Sequence, residues 1–542
     1  MKKIRVAGPP GTGKTTYLVE KYYDALDKYQ AMDIIVISHT NTAADHIREK
    51  INDPENIKRY HEKTGKDLFN LIKETKKTRE KNVSTIHKYC KDKQGGLDVF
   101  QITDYEVLKD KYRIFNSHTS KKKFNFTQAL FKRHPFFKFI SFARDNGYGK
   151  NLLGYYRTLS FPDREEYAYT IQQLIQMNDL YKKYKTNPLI NEGRNNVLDF
   201  QDMVEKFCDL PKDPVIKVLM IDEAQDSSVI QRKAEVKMSK NCDLFYKAGD
   251  PDQAIFEFAG ADPDSFHKEF AQPDEELAIG YRCPRKINEW CREIIKDVWD
   301  HYGYTRKWTP RTENGKIVEG EVYSLMNLNQ DPNLHVLIDK LTNTKETFIF
   351  THRSGEPESM LNFLIKLNLP VNFLSDKIQS FSYPKKEIDI QRMYLSFSKG
   401  EAISLTKAKK IIKAINSDYR GSNYSLETLD TLDKKPYTID YFIENKYILP
   451  IIKKTDDFQT ISANNDLKNY IRNIVSSNRD LEKPRIYIAN IHTIKGMEFD
   501  NVILDLKVTR EDPKFTKKRL KFVAGSRARK SLWVIKSMGL SL

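Results

Sequence analysis

At 542 residues, with 39% hydrophobic and 11% aromatic residues, the chain has material for several packed cores, which excludes a disordered or fibrous protein. Its 91 Lys and Arg outnumber its 74 Asp and Glu, a formal charge of +17 that favours a polyanionic partner without deciding between nucleic acid and an anionic membrane surface. No run approaches the ~18 apolar residues of a membrane span, and Cys90, Cys208, Cys242, Cys283 and Cys291 show no C-x-x-C spacing, which argues against a disulfide framework, a zinc ribbon or an iron–sulfur cluster. A soluble, cytoplasmic protein with no membrane partner is expected. The abundant Lys, Asn, Ile and Tyr suit an AT-rich genome, in a bacterium or a phage-infected cell.

The first predicted element is a short strand ending at Ala7. It runs into Gly8-Pro9-Pro10-Gly11-Thr12-Gly13-Lys14-Thr15, a G-x-x-x-x-G-K-T loop, and Thr16 to Tyr23 reads as the helix after it. Strand, glycine loop and helix in this order make a phosphate cradle. Backbone N–H groups converge on phosphate oxygens, Lys14 reaches the β- and γ-phosphates, and the Thr15 hydroxyl can ligate Mg²⁺. Asp33 to Ser38 is a buried-strand run and Asn41 to Ile51 a helix, the opening of a parallel α/β sheet. Further strand runs are predicted at Val218 to Asp222, Leu244 to Ala248, Thr347 to Thr351, Arg485 to Ala489, Asn501 to Leu506 and Ser531 to Ile535.

Two inserts separate these strands. Residues 91 to 195 read as mainly helical, and within them 116 to 160 hold nine Lys/Arg, one acid and ten Phe/Tyr. Basic residues interleaved with rings suit a groove for single-stranded nucleic acid, while the same rings also suit the insert's own core. Residues 380 to 480 are polar and carry no readable chemical motif.

The apolar run Val218-Leu219-Met220-Ile221 ends in Asp222 and Glu223, two carboxylates at a strand tip. In a P-loop enzyme the first such acid holds Mg²⁺ and the second orients and activates the attacking water.

Asp222-Glu223-Ala224-Gln225-Asp226 and Gly249-Asp250-Pro251-Asp252-Gln253-Ala254-Ile255-Phe256-Glu257-Phe258-Ala259-Gly260-Ala261 together resemble the superfamily 1 DNA helicases of the UvrD/Rep/PcrA type. Other blocks follow in family order. Ile37 to Ala44 resembles motif Ia, Val83 to Tyr89 the T-x-H block, Val197 to Met203 the segment ahead of the acidic strand, and Ile279 to Pro284 the "NYRS" block. Phe350 to Ser354 is similar to the strand after that block, Asn490 to Asp500 to motif V and Arg519 to Arg529 to motif VI. The resemblance implies an α/β fold of two RecA-like motor domains with parallel sheets, each carrying a mainly helical insert. The first motor domain would comprise 1–90 and 196–276 with insert 91–195, the second 277–379 and 481–542 with a reduced insert 380–480.

The resemblance further implies ATP-dependent, 3′→5′ translocation on single-stranded DNA and unwinding at single-strand/duplex junctions, with Mg²⁺ and ATP as cofactors. A monomer is expected, with a replication or repair protein as a further partner. Gly8 to Thr16 would cradle the triphosphate, Tyr281 stack on adenine and Glu498 meet the ribose. Gln253 would sense the γ-phosphate, and Arg282 and Arg527, donated from the second motor domain, would act as arginine fingers. His39, Thr40, Asn41, Thr85, His87 and His492 lie where family members contact DNA, and Phe256 and Phe258 where aromatics stack on bases.

Three features depart from the pattern. The Gln-containing block ahead of the P-loop has no counterpart in the seven residues before Gly8, leaving the preference for ATP open. Ala259 stands where the family's W-R-G-A block has arginine, and the second insert is smaller than usual. These keep an alternative alive, a nucleic-acid-stimulated ATPase clamp or remodelling factor that needs a partner and does not unwind by itself. Only thirteen residues follow Arg529, so no nuclease segment is expected after motif VI.

Overall fold

The apolar runs pair into two six-stranded sheets in a computed structural model, which describes residues 1–65, 82–94, 100–101, 135–159, 164, 169–186, 197–352, 358–374, 385–415, 417–454, 465–476, 485–505 and 515–536. The first sheet comprises β1 (Lys2–Ala7), β2 (Ile34–Ser38), β3 (Val83–Thr85), β4 (Val218–Ile221), β5 (Leu244–Gly249) and β6 (Glu275–Glu276). Their order is β3-β2-β4-β5-β1-β6 and every pairing is parallel.

Every residue of β2 and β4 is buried because helices cover both faces, as continuous apolar strands require. Val6, Ile34, Val36, Val218 and Met220 pack on one face with Leu18 and Tyr22 of the helix Lys14–Leu26. Ala7, Ile35, Ile37, Leu219 and Ile221 pack on the other with Phe207 and Ala234. A parallel sheet places all its carboxyl ends along one edge. The P-loop after β1, His39 after β2, Thr85 at the end of β3, Asp222 after β4 and Asp250 after β5 therefore share that edge.

The second sheet comprises β7 (Glu321–Leu325), β8 (Phe348–His352), β9 (Asn372–Phe373), β10 (Ile486–Asn490), β11 (Phe499–Asp505) and β12 (Ala528–Ile535), in the order β7-β12-β11-β8-β10-β9. β8 runs parallel to both β10 and β11, and β9 parallel to β10. Its core includes Phe348, Phe350, Leu361, Ile488, Ile503 and Trp533.

Each sheet is interrupted by an insert that is mainly helical in its described residues: Pro135–Asp145, Leu152–Thr158 and Ile171–Thr186 in the first, Lys385–Ser398, Leu405–Ala414 and Asn465–Ser476 in the second. The expected α/β architecture of two parallel-stranded sheets with helical inserts is present. In the first insert Phe136, Phe137, Phe139 and Tyr155 form the core with Leu174 and Tyr181. Those rings hold the insert together and are not offered to bases; Phe124, Phe126 and Phe131 lie outside the described residues.

The chain divides into two compact units. One contains Met1–Glu321, Lys495–Glu498 and Arg510–Lys530; the other contains Val322–Ile494, Phe499–Thr509 and Ser531–Leu542. Residues 277–321 and the helix Thr516–Gly525, which the sequence groups with the second motor domain, lie in the first unit, so Arg282, Glu498 and Arg527 share a unit with the P-loop. Among the described residues no helix is long and apolar enough to cross a membrane.

Candidate active site

The P-loop closes on itself before it meets anything else. Thr12 Oγ1 donates to Pro9 O at 2.8 Å, and Lys14 Nζ, on a buried side chain, donates to Gly8 O at 2.7 Å. Gly8, Pro9 and Pro10 are buried, Gly13 caps the helix Lys14–Leu26, and Thr16 Oγ1 accepts from Lys50 Nζ at 3.1 Å. Gly11 has φ +72, and a Cβ there would strike Arg282, so both its backbone and its neighbour require glycine. Tyr281 N–H donates to Gly11 O at 2.9 Å, which holds the Tyr281-Arg282 segment over the loop with the Tyr281 ring 64% exposed. The ring thus stands open to solvent beside the loop.

The acidic pair at the end of β4 faces the same loop. Thr15 Oγ1 donates to Asp222 Oδ2 at 2.8 Å, bringing a hydroxyl and a carboxylate together as a hard divalent cation requires. Burial and the adjacent Glu223 charge push the Asp222 carboxyl up. For Glu223 burial acts in the same sense, but Lys14, Lys495 and the Gln225 amide outweigh it and keep the group below the usual carboxylate range. Glu223 is thus an ionised acceptor at neutral pH. Its φ of +53 is a strained, left-handed conformation for a non-glycine residue, of the kind that clusters at functional sites.

From Glu223 a chain of hydrogen bonds leads away along the sheet edge. Gln225 Nε2 donates to Glu223 Oε2 at 2.5 Å, and Gln225 Oε1 accepts from the Asp250 N–H at 3.0 Å. Gln253 Nε2 donates to Asp250 Oδ2 at 2.5 Å, and Gln253 Oε1 accepts from Arg527 Nη2 at 2.8 Å. Lys495 Nζ joins from another side, donating to Asp226 Oδ2 at 2.6 Å and to Gln253 O at 2.8 Å. Burial and neighbouring Arg282 lower the Arg527 pKa to about 9, which leaves it cationic at pH 7. Lys14, Asp222, Glu223, Gln253, Arg282 and Arg527 are thus all gathered in one unit. Glu498, expected at the ribose, accepts from Arg282 Nε at 2.7 Å and so holds that guanidinium.

The residues expected at nucleic acid follow the strand ends of the first sheet, except His492. His39 Nε2 lies 3.0 Å from Ser227 Oγ, and His87 meets the half-exposed Phe200 ring edge-on at 5.2 Å. The Thr40 and Thr85 hydroxyls cap helices, accepting from the Ala43 N–H at 3.1 Å and the Lys88 N–H at 3.4 Å, while Asn41 is exposed. Phe256 lies under Lys495 Nζ at 5.2 Å from the ring centre. The Phe258 side chain lies outside the described residues, and His492 belongs to the other unit, in the turn after β10. Sequence reasoning gave no role to Gln225, Asp226, Asp250, Lys495 or Phe200. Their signal was position, just beyond a strand end or inside a motif block.

Residues 1–273 match the family model for the UvrD/REP helicase N-terminal domain, half of the chain, and residues 485–535 match that for the UvrD-like helicase C-terminal domain. The chain belongs to the UvrD/REP helicase family. Within the family it is 24% identical over 343 residues to the ATP-dependent DNA helicase Rep of Buchnera aphidicola, covering 55% of this chain and 49% of the relative. It is 23% identical over 333 residues to DNA helicase II of Haemophilus influenzae, covering 58% of this chain and 41% of the relative. The chain thus spans about half the length of the curated relatives it matches. Among solved structures, the Arterivirus nonstructural protein 10 helicase is similar over 99% of this chain and 60% of its own, at 11% identity and a TM-score of 0.31.

Proposed function

We propose that this UvrD/REP-family chain is an ATP-dependent motor that moves 3′→5′ on single-stranded DNA and unwinds duplex at single-strand/duplex junctions. The observation that carries the reading is the continuous hydrogen-bonded path from Glu223 through Gln225, Asp250 and Gln253 to Arg527, beside the Thr15–Asp222 pair and within the field of the Lys14 charge. Lys14 and the loop N–H groups bind the β- and γ-phosphates of ATP, Glu223 accepts the proton of the attacking water, and Arg282 and Arg527 stabilise charge on the transferring phosphoryl group. Thr15 and Asp222 fit Mg²⁺ and would hold it; when bound, the ion neutralises charge on the phosphate oxygens. Gln253 hydrogen-bonds Arg527 directly, so a change at the γ-phosphate is felt at the finger.

On the same sheet edge His39, Asn41, His87 and Phe256 supply polar and aromatic groups for a single strand, and the +17 charge favours its phosphates. Replication or repair is the setting this activity suits. Unwinding of duplexes with a 3′ or a 5′ single-stranded tail tests the reading: ATP-dependent strand separation on the 3′-tailed substrate alone is expected. Hydrolysis stimulated by DNA without separation of either would favour a clamp, for which the exposed Ala259 in the Gln253 block is the supporting feature.

A further inference from the structure

The turn that follows Gln253 makes a second connection to the helix Thr516–Gly525, two residues beyond which Arg527 stands. Glu257 opens the 3₁₀ turn Glu257–Ala259, immediately after Phe256. Its Oε1 accepts from Arg519 Nη1 at 2.6 Å and its Oε2 from Thr516 Oγ1 at 2.8 Å. Both donors lie in the first turn of the helix Thr516–Gly525, three residues apart and so on one face. The Arg519 side chain is only 2% exposed and that of Glu257 19%, so this charge-assisted pair is shielded from solvent. At the far end of the same helix, Arg527 Nε donates to Val523 O at 2.9 Å, which ties the guanidinium to the helix axis.

We propose that Glu257 is a positioning residue that couples nucleic acid held beside Phe256 to the placement of the Arg527 finger, by gripping the helix Thr516–Gly525 through Arg519 and Thr516. The inference rests on the proposed function. Residues 253 to 257 hold this segment at two points, Glu257 at Arg519 and Thr516 in the helix and Gln253 at Arg527 just past its end, which is tied back to Val523 O. A rigid helix of about 1.5 Å per residue transmits a shift at one grip to the other with little loss. Phe256 is the neighbour of Glu257 in sequence and also lies against Lys495, which bonds Gln253 O. A base stacking on Phe256 therefore acts on a turn joined to the finger by charge-assisted hydrogen bonds. Without Glu257, this block keeps only the Gln253–Arg527 bond of the two connections.

Steady-state ATP hydrolysis in saturating single-stranded DNA tests the coupling in Glu257→Gln, Arg519→Gln, the double variant and Thr516→Val. The expected result is a fall in kcat of about tenfold in each of the first two, with KM for ATP within about twofold of wild type. The double variant should be no slower than the worse single one, because the two residues act as a unit. Thr516→Val removes one neutral donor without stranding a buried charge and should lower kcat by about two- to threefold. That variant keeps the test valid if an uncompensated Arg519 impairs folding. Wild-type kcat in both Glu257→Gln and Thr516→Val would overturn the proposal. So would losses that multiply in the double variant, or a rise in KM at unchanged kcat. A wild-type chain with no DNA-stimulated hydrolysis would instead contradict the proposed function, and the coupling with it.

Discussion

Arg527 is a cation almost without water, 2% exposed, with the Gln253 amide oxygen as its acceptor across the sheet edge. A charge held this way is pre-organised for a developing negative charge, so Arg527→Ala should lower kcat by about 10³-fold or more while ATP still binds. Single-turnover hydrolysis with a separate nucleotide-binding titration would check it; unchanged turnover would remove Arg527 from the mechanism. The histidines behave differently. Burial, with Lys495 and His87 nearby, lowers the His39 pKa to about 3, and burial lowers that of His87 to about 4. Both are neutral at pH 7, hydrogen-bonding rings rather than cations. Because their folded pKa values lie below the unfolded ~6.5, the stability their neutral forms allow is complete above that pH and is lost as pH falls through it. Denaturant midpoints should therefore decline on acidification from pH 7 to 5, and by less in His39→Gln and His87→Gln. At this scale the sequence was most legible where spacing alone dictates chemistry, as in Gly8 to Thr15 and Asp222-Glu223. It was least legible where a role depends on a distant partner: Glu498 turns to Arg282, 216 positions away, and Lys495 finds Asp226 at a separation of 269.

Between elements, an ionic cluster sets how the first insert meets its sheet. Arg144, at the end of the helix Pro135–Asp145, donates to Asp199, Asp202 and Glu205, and Lys185 donates to Asp199 and Asp202. Asp199 and Asp202 also form the capping box of the helix Phe200–Cys208, so the same carboxylates start that helix and receive the insert. Removing Arg144 would leave three part-buried carboxylates with Lys185 as the remaining cation of the cluster, and Arg144→Ala should cost about 3 kcal/mol in unfolding free energy. Burial alone would raise the Asp199 carboxyl, but Arg144 and Lys185 more than offset it and hold the group below the usual range. A depressed folded pKa contributes stability above the unfolded value of ~3.9 that is lost as pH falls below it. Acid unfolding of the insert, followed by amide exchange of residues 135–145, should therefore begin near pH 4 in wild type and at higher pH in Arg144→Ala. Gly260 belongs to the same junction: with φ +84 and the Asp145 side chain where a Cβ would stand, Gly260→Ala should cost about 1–3 kcal/mol. The capping box could be read from Asp199-Phe200-Gln201-Asp202. Its cations could not, since Arg144 comes from 55 positions earlier. The rings of the insert carried two meanings in the sequence, and for Phe136, Phe137 and Phe139 the core is the one the structure selects.

For the whole chain, the two sheets and their strand runs were legible because continuous apolar strands between helices leave few other arrangements. The line between the compact units was not, because residues 277–321 and 516–525 fall in the first unit through proximity of distant stretches of chain, which periodicity does not encode. The excess of 91 cationic over 74 anionic side chains belongs to this scale too. If it serves phosphate contacts, affinity for single-stranded DNA should fall steeply and linearly on a logarithmic salt scale, with a slope of about −0.7 per phosphate contacted. A salt-independent affinity would assign the charge to solubility alone. The most direct test of a DNA-driven ATP motor is the rate of ATP hydrolysis with and without single-stranded DNA, in wild type and in Lys14→Ala. Strong stimulation in wild type that disappears in Lys14→Ala is the expected result; hydrolysis that survives the substitution, or a wild-type rate indifferent to DNA, would contradict it.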